Sequence, residues 1–274
     1  MASLEPRMPV VFFGHGSPMI ALETNQTSRA WAEIAAGMPR PKAILAISAH
    51  WETRVTAVTA MTRPQTIHDF GASFPKALFD MQYPAPGDPA LAARVVQLLA
   101  PTPVALDQSQ WGLDHGTWSV LVKTFPEADI PVVQLGLDVG IGPAERFEIG
   151  RRLAPLRDEG VLIMGSGNIV HNLRAMNWGA QLGPPFDWAA RFNDEVRSAI
   201  AANEPQRVID FARLGRDAEL SAPTPEHFWP LLYVLGARGP HDRVRFVNDR
   251  IEYGSLGMTS VVLEDAGDAA RDAA

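Results

Sequence analysis

The 274-residue chain contains no cysteine. Disulfides, thiolate zinc sites and cysteine nucleophiles are thereby excluded, and any bound metal must be held by His, Asp or Glu. No apolar run approaches the ~20 residues needed to span a bilayer, and the first residues lack the basic-then-apolar pattern of a secretory leader. The expected setting is therefore cytoplasmic and away from membranes. A basic stripe is also missing: 24 Lys and Arg stand against 31 Asp and Glu, for a net charge of −7, which argues against nucleic acid as a partner. Neither an internal repeat nor a low-complexity linker divides the chain. What is present is ordinary globular composition, 46% hydrophobic and 20% charged, long enough for a substantial core. We read residues 1–274 as a single domain with loose termini at about 1–8 and 265–274.

Short apolar runs bounded by turn formers predict buried strands at Val10–Phe13, Lys42–Ala49, Pro131–Leu137 and Val161–Met164. Further strands are expected at Val55–Met61, Pro103–Leu106, Arg243–Val247 and Met258–Leu263, the last two antiparallel. Helical patterns alternate with them: Thr27 or Ser28 caps a helix to Met38, and Asp88 caps one to Ala100. Others run over Thr117–Phe125, Pro143–Leu156, Asp187–Ala202, Glu204–Leu214 and from near His227 to Gly236. The expected fold class is α/β, a single domain with a central mixed, mostly buried sheet flanked by helices. The connection His68–Gly87, rich in Gly, Pro and aromatics, reads as a binding loop or lid.

Five of the seven histidines have special surroundings. His15, His50 and His171 follow predicted strands, and His115 and His227 stand beside helix starts. Ligands in open α/β sheets gather beyond the carboxyl ends of the strands, so these side chains should converge there. Neutral imidazoles bind zinc, iron, copper or nickel, and a metal site at the strand carboxyl ends follows. Gly14 and Gly16 would keep the space around His15 open. Rival motifs are incomplete: Gly165-Ser166-Gly167-Asn168 lacks the lysine of a phosphate loop, and neither Ser17 nor Ser48 sits in a nucleophile elbow. His241 reads as a solvated turn residue. Trp51, Trp111, Trp118, Trp178 and Trp229 read as core or pocket walls.

Six segments taken in order resemble the DOPA 4,5-dioxygenase branch of the class III extradiol ring-cleavage dioxygenases. They are Gly14-His15-Gly16-Ser17-Pro18, Ser48-Ala49-His50-Trp51, Tyr83-Pro84-Ala85-Pro86-Gly87, Leu113-Asp114-His115-Gly116-x-Trp118, Gly165-Ser166-Gly167-Asn168-x-x-His171-Asn172-Leu173 and Glu226-His227-Phe228-x-Pro230-Leu231. The resemblance implies a catalytic domain that opens a catechol, DOPA-like or other, beside its hydroxyls and inserts both atoms of dioxygen. It implies a mononuclear non-haem site with Fe(II) as the functional metal and Zn(II) as the metal of the purified protein. It assigns His15, His50 and His227 as ligands, with Glu226 as the rival third ligand. His171 becomes the base and, without substrate, a fourth ligand; His115 becomes a second acid–base group, with Asp114 to orient it. His68, Asp69, Phe70 and Ser17 are the expected substrate contacts, with Phe74 beside them. The segment from His68 to Pro75 departs from the family pattern, which bears on the choice of catechol. The partners implied are a small aromatic diol and dioxygen, with a homo-oligomer as a further partner. Two other classes fit the same histidines: a zinc-dependent hydrolase, or a non-enzymatic metal-binding or signalling protein on the same scaffold.

Overall fold

The computed structural model describes residues 7–266. Most of the expected loose ends, 1–6 and 267–274, thus lie outside the described residues. The described margins are anchored instead: Met8 is buried and its N–H donates to Arg157 O at 3.1 Å, and Asp265 ends a strand.

In chain order the strands are β1 (Val10–Gly14), β2 (Ala43–Thr53), β3 (Ala57–Thr59), β4 (Gln65–Thr66), β5 (Ala105–Asp107), β6 (Gly112–Leu113), β7 (Val132–Asp138), β8 (Val161–Gly167), β9 (Asp242–Val247), β10 (Ile251–Glu252), β11 (Leu256–Gly257) and β12 (Ser260–Asp265). The α-helices are α1 (Gln26–Ala36), α2 (Lys76–Phe79), α3 (Pro89–Leu99), α4 (His115–Thr124), α5 (Pro143–Leu153), α6 (Asp187–Ala201), α7 (Pro205–Ile209), α8 (Arg216–Ser221) and α9 (Trp229–Gly236). An eight-stranded sheet runs in the order β5-β3-β7-β2-β8-β1-β12-β9. Its central strands β7, β2, β8 and β1 are mutually parallel, while β3 and β12 run antiparallel to that block. The chain is a single α/β domain with a mixed central sheet.

Side chains alternate between the two faces of each central strand. Val10 and Phe12 point into one core with Leu91 and Val95 of α3, Ile149 of α5, Phe192 of α6 and Leu231 of α9. Val11 and Phe13 point into the other with Trp31 and Ile34 of α1 and Trp118 and Leu121 of α4. Because helices cover both faces, the strands read as continuous apolar runs rather than alternating ones. The parallel block also sends four carboxyl ends to one edge, where the site lies. At its opposite edge the fully buried Arg157 pairs with Asp242 at 2.6 Å and donates to Met8 O and Ala237 O.

Several boundaries differ from expectation. Strand β2 continues to Thr53 with a register shift against β7 between Ile47 and Glu52, so His50 lies within a strand rather than beyond it. Asn25 caps α1 through a reciprocal pair with Ser28, in place of Thr27 or Ser28. Asp187 is the first residue of α6, preceded by Phe186. The expected helix Glu204–Leu214 is broken into α7 and a 3-10 turn at Phe211–Arg213, and α8 follows after Gly215, whose φ is +73°. Helix α9 begins at Trp229, two residues past His227.

Candidate active site

Each histidine of the site is positioned by a strand end or a helix start. His15 follows β1, and its N–H donates to Gly167 O at the end of β8 at 3.0 Å. His50 projects from β2. Asp114 caps α4 by accepting the Thr117 N–H at 3.1 Å, which makes His115 the first helical residue. His227 precedes α9, and its carbonyl accepts the Asn168 N–H at 2.8 Å. His171 is held where its N–H donates to Ser221 O at 2.7 Å. The Asn168 amide donates to His15 O and Gly257 O, tying the β1 and β8 ends to β11.

One nitrogen each from His15, His50 and His227 lies within 4.8 Å of the other two. Hydrogen-bond partners fix the remaining nitrogens of His15 and His227, and a carboxylate faces that of His50. The Ser166 hydroxyl donates its single proton to Gly116 O at 2.6 Å, so at its 2.8 Å contact with His15 it must accept from Nδ1–H. That leaves His15 Nε2 as a bare lone pair, 3.3 Å from Nε2 of His50. Asp69 Oδ2 faces His50 Nδ1 at 3.5 Å, and Glu226 Oε1 holds His227 Nδ1 at 3.0 Å. Acceptors behind Nδ1 orient metal-binding imidazoles and make them more basic. When Asp69 holds the proton on His50 Nδ1, two lone pairs face each other at this distance and repel unless a cation lies between them. The donor set therefore fits a divalent first-row metal bound by nitrogen.

Electrostatics keep these rings neutral. Burial, followed by the neighbouring histidines, holds His15 and His227 well below the ordinary imidazole value. His50 is lowered to about 3 by burial and His115, against the opposing pull of Asp69. His171 is lowered to about 4 by burial, against Glu226. Burial pushes Asp69 upward, but its hydrogen bond to His115 and the charges of His115 and His50 prevail, so the net direction is down.

The site opens into a cavity of about 540 Å³ lined by His15, His50, His115, His171 and His227, within the usual range for small-molecule pockets. Ser17, Phe70 and Phe74 also line it. A second cavity of about 290 Å³, between α5, α6 and α9, contains no histidine.

His68 does not line the cavity; its Nε2–H donates to Met81 O at 2.9 Å, and the ring packs against Phe70 and Trp118. Asp69 does not line it either. Its carboxylate accepts the His115 N–H at 2.8 Å and meets His115 Nδ1 at 2.9 Å, so Asp69 takes the orienting part expected of Asp114. Asp114 instead caps α4 and accepts from Gln134. His171 stands outside the triplet of His15, His50 and His227, stacked on His227 with ring centroids 3.5 Å apart. Glu226 falls in a group with His171 and His227, away from His15 and His50. Gly14 does not line the cavity, whereas Gly16 does. A Cβ at Gly14 would stand 2.5 Å from the Met258 backbone, and one at Gly16 would stand 3.0 Å from the Met258 side chain. Trp178 lines the cavity, whereas Trp51 stacks on Trp111 and Trp118 is buried in the core. His241 is exposed, as a turn residue should be.

Ser166 and Asn168 are supporting residues to which sequence reasoning gave no role, and Asp69 was expected at the substrate rather than behind His115. The Ser-Gly-Asn run at the end of β8 was visible, but the partner of each side chain lies far away in sequence, 151 residues for Ser166 with His15.

Residues 10–264 match the family model of the catalytic LigB subunit of aromatic ring-opening dioxygenase. The chain is 51% identical over 257 residues to a 4,5-DOPA dioxygenase extradiol of Escherichia coli K12, covering 93% of this chain and 94% of that protein. It is 37% identical to a 4,5-DOPA dioxygenase extradiol of Beta vulgaris, covering 91% and 96%. The crystal structure of an uncharacterized Escherichia coli K12 protein superposes with a TM-score of 0.81 at 46% identity, covering 93% of this chain and 99% of that one.

Proposed function

Because this chain belongs to the LigB family of aromatic ring-opening dioxygenase catalytic subunits, we propose that its cavity takes a DOPA-like catechol beside one iron held by His15, His50 and His227. The protein is an extradiol ring-cleaving dioxygenase. The observation that carries the ligand set is the pairing of each imidazole with a partner behind it: Ser166 for His15, Asp69 for His50 and Glu226 for His227. On this reading Glu226 orients the third ligand and does not replace it. Fe(II) is the functional metal because zinc has no redox chemistry, and when bound it supplies the electron exchange that lets dioxygen react with the ring. Where zinc is found after purification, it stands in for iron.

The chain's own residues bind the ring and move its protons. Phe70, Phe74, Leu256 and Met258 supply apolar walls for an aromatic ring. His171 is neutral at working pH and lines the cavity, so its lone pair can take the proton of a substrate hydroxyl. His115, clamped by Asp69 at both N–H and Nδ1, presents Nε2 in a fixed orientation as the second acid–base group. Ser17, exposed at the start of the turn Pro18–Ala21, offers a hydroxyl to the substrate. The working compartment is the cytoplasm, whose reducing conditions preserve ferrous iron. No helix among the described residues is long and apolar enough to cross a membrane.

The test is oxygen uptake. Protein loaded anaerobically with Fe(II) and then given DOPA in aerated buffer should consume one O2 for each ring opened. If no catechol of a panel including DOPA provokes uptake while bound iron is verified, the reading fails, and zinc-dependent hydrolysis without oxygen becomes the better account.

A further inference from the structure

The rim of the cavity has an unusual make-up. Its lining includes the carboxylates Glu23 and Glu252 and the rings of Trp178 and Tyr253, while neither Lys nor Arg lines it among the described residues. Glu252 is already engaged, with Arg250 at 2.9 Å and Gln181 at 3.0 Å. Glu23 is exposed, accepts only the Asn25 side-chain amide at 3.1 Å, and forms no ion pair among the described residues.

The two rings are presented at a structural cost. Trp178 is 72% exposed, which leaves a large apolar surface in water. Tyr253 has φ +50°, a left-handed conformation that is uncommon away from glycine and is retained where surrounding structure enforces it. Here Tyr253 N–H donates to Gln181 O at 2.8 Å and its carbonyl accepts Asn177 N–H at 2.9 Å. The result is a pair of rings with centroids 5.5 Å apart, inclined at 47°. Both Glu252 and Glu23 act on the Tyr253 phenol, raising its pKa beyond the effect of burial, so the carboxylates and the ring share one neighbourhood.

We propose that Glu23, Trp178 and Tyr253 form a cation subsite at the cavity rim, and that the enzyme selects catechols bearing an ammonium group over those bearing a carboxylate. The proposal rests on the reading of this cavity as the catechol site. Aromatic faces attract an ammonium through the ring quadrupole, and Glu23 supplies an opposite charge that Lys123 feels without forming an ion pair with it. The net charge of −7 favours approach of cations and opposes that of anions. With the diol at the histidines, a side chain on the far side of the ring points toward the rim. The ammonium of a DOPA-like substrate then has a carboxylate and two rings to meet, whereas its carboxylate meets no Lys or Arg in the lining. An amine without the carboxylate should accordingly be the better substrate.

The experiment compares dopamine, DOPA, ethylcatechol and dihydrocaffeate with the iron-loaded full chain. The expected order of kcat/KM is amine, amino acid, neutral, acid, with the amine ahead of the acid by about tenfold or more at low salt and less at high salt. Glu23→Lys, at an exposed position, should lower the amine-to-acid ratio by about tenfold. Equal rates for amine and acid, or a ratio unmoved by Glu23→Lys, would overturn the subsite. Calorimetric titration with phenethylamine and phenylpropanoate, which have no diol, reads the rim even if no ring is opened. Tighter binding of the amine supports the subsite, and equal binding refutes it, independently of the dioxygenase reading.

Discussion

Acidifying the metal-free protein should destabilise it well before its carboxylates titrate. His15 and His227 are buried, His50 and His171 are half-buried, and each has a pKa pushed below the ordinary 6.5. The unfolded chain therefore binds more protons than the folded one below that value, and stability must fall as pH falls. The window opens near 6.5 and closes as the folded groups finally titrate, at about 4 for His171 and about 3 for His50. At about pH 5, one imidazole kept neutral forfeits about 2 kcal/mol. Four would forfeit about 8 kcal/mol if the folded cluster took up no proton, and about 4 kcal/mol if it kept only two rings neutral. Asp114, raised by burial and by Asp69, opposes this by at most one proton. Against a typical total of about 5–15 kcal/mol, such a loss is large. Urea unfolding of chelator-treated protein at about pH 7.5 and pH 5 measures it through the midpoint at constant slope. An unchanged midpoint would refute the picture of a buried, neutral histidine cluster.

Other substitutions probe the supports of the site. Ser166→Ala removes the acceptor that fixes His15 Nδ1–H, and metal affinity measured by chelator competition should fall by about 10- to 100-fold; unchanged affinity would deny Ser166 an orienting part. Gly116→Ala would place a Cβ 2.4 Å from Ser48 Oγ and 2.8 Å from His50 Cδ2. It should displace His50 and cost about 1–3 kcal/mol, with metal content falling in parallel. Asp242→Ala strands the buried Arg157 charge at the opposite edge of the sheet. It should cost about 3–5 kcal/mol in chemical unfolding while leaving metal content per folded molecule unchanged.

The architecture was legible where one physical signal dominated. Strands β1, β2, β7 and β8 are covered on both faces, so unbroken apolar runs marked them, and glycine or histidine marked where His15 and His171 leave the sheet. Proline at the first turns of α3 and α5 likewise marked their starts. The signal failed where local pattern and tertiary contact disagree. Strand β2 passes through His50 because pairing with β7 resumes beyond the register shift, at Glu52 and Thr53, which local pattern does not reveal. Helix continuity from Glu204 to Leu214 looked plausible, yet Asp210 departs from helical geometry. In the site, the histidines were identifiable because glycine, proline or a strand end surrounds them. Their supports were not. Asp69 reaches His115 across 46 residues, and Asp114 was nearer in sequence yet capped its own helix instead. Close approach also explains Gly14, since the Met258 backbone that presses on it belongs to a distant segment.

The central claim is that His15, His50 and His227 hold the metal, with Glu226 behind His227. Metal analysis of reconstituted His227→Ala and Glu226→Ala, each first shown to be folded, tests it most directly. The account predicts that His227→Ala loses the stoichiometric metal, while Glu226→Ala retains it with affinity weakened by about 10- to 100-fold. Retention of metal by His227→Ala together with its loss from Glu226→Ala would contradict the account and make the carboxylate the third ligand.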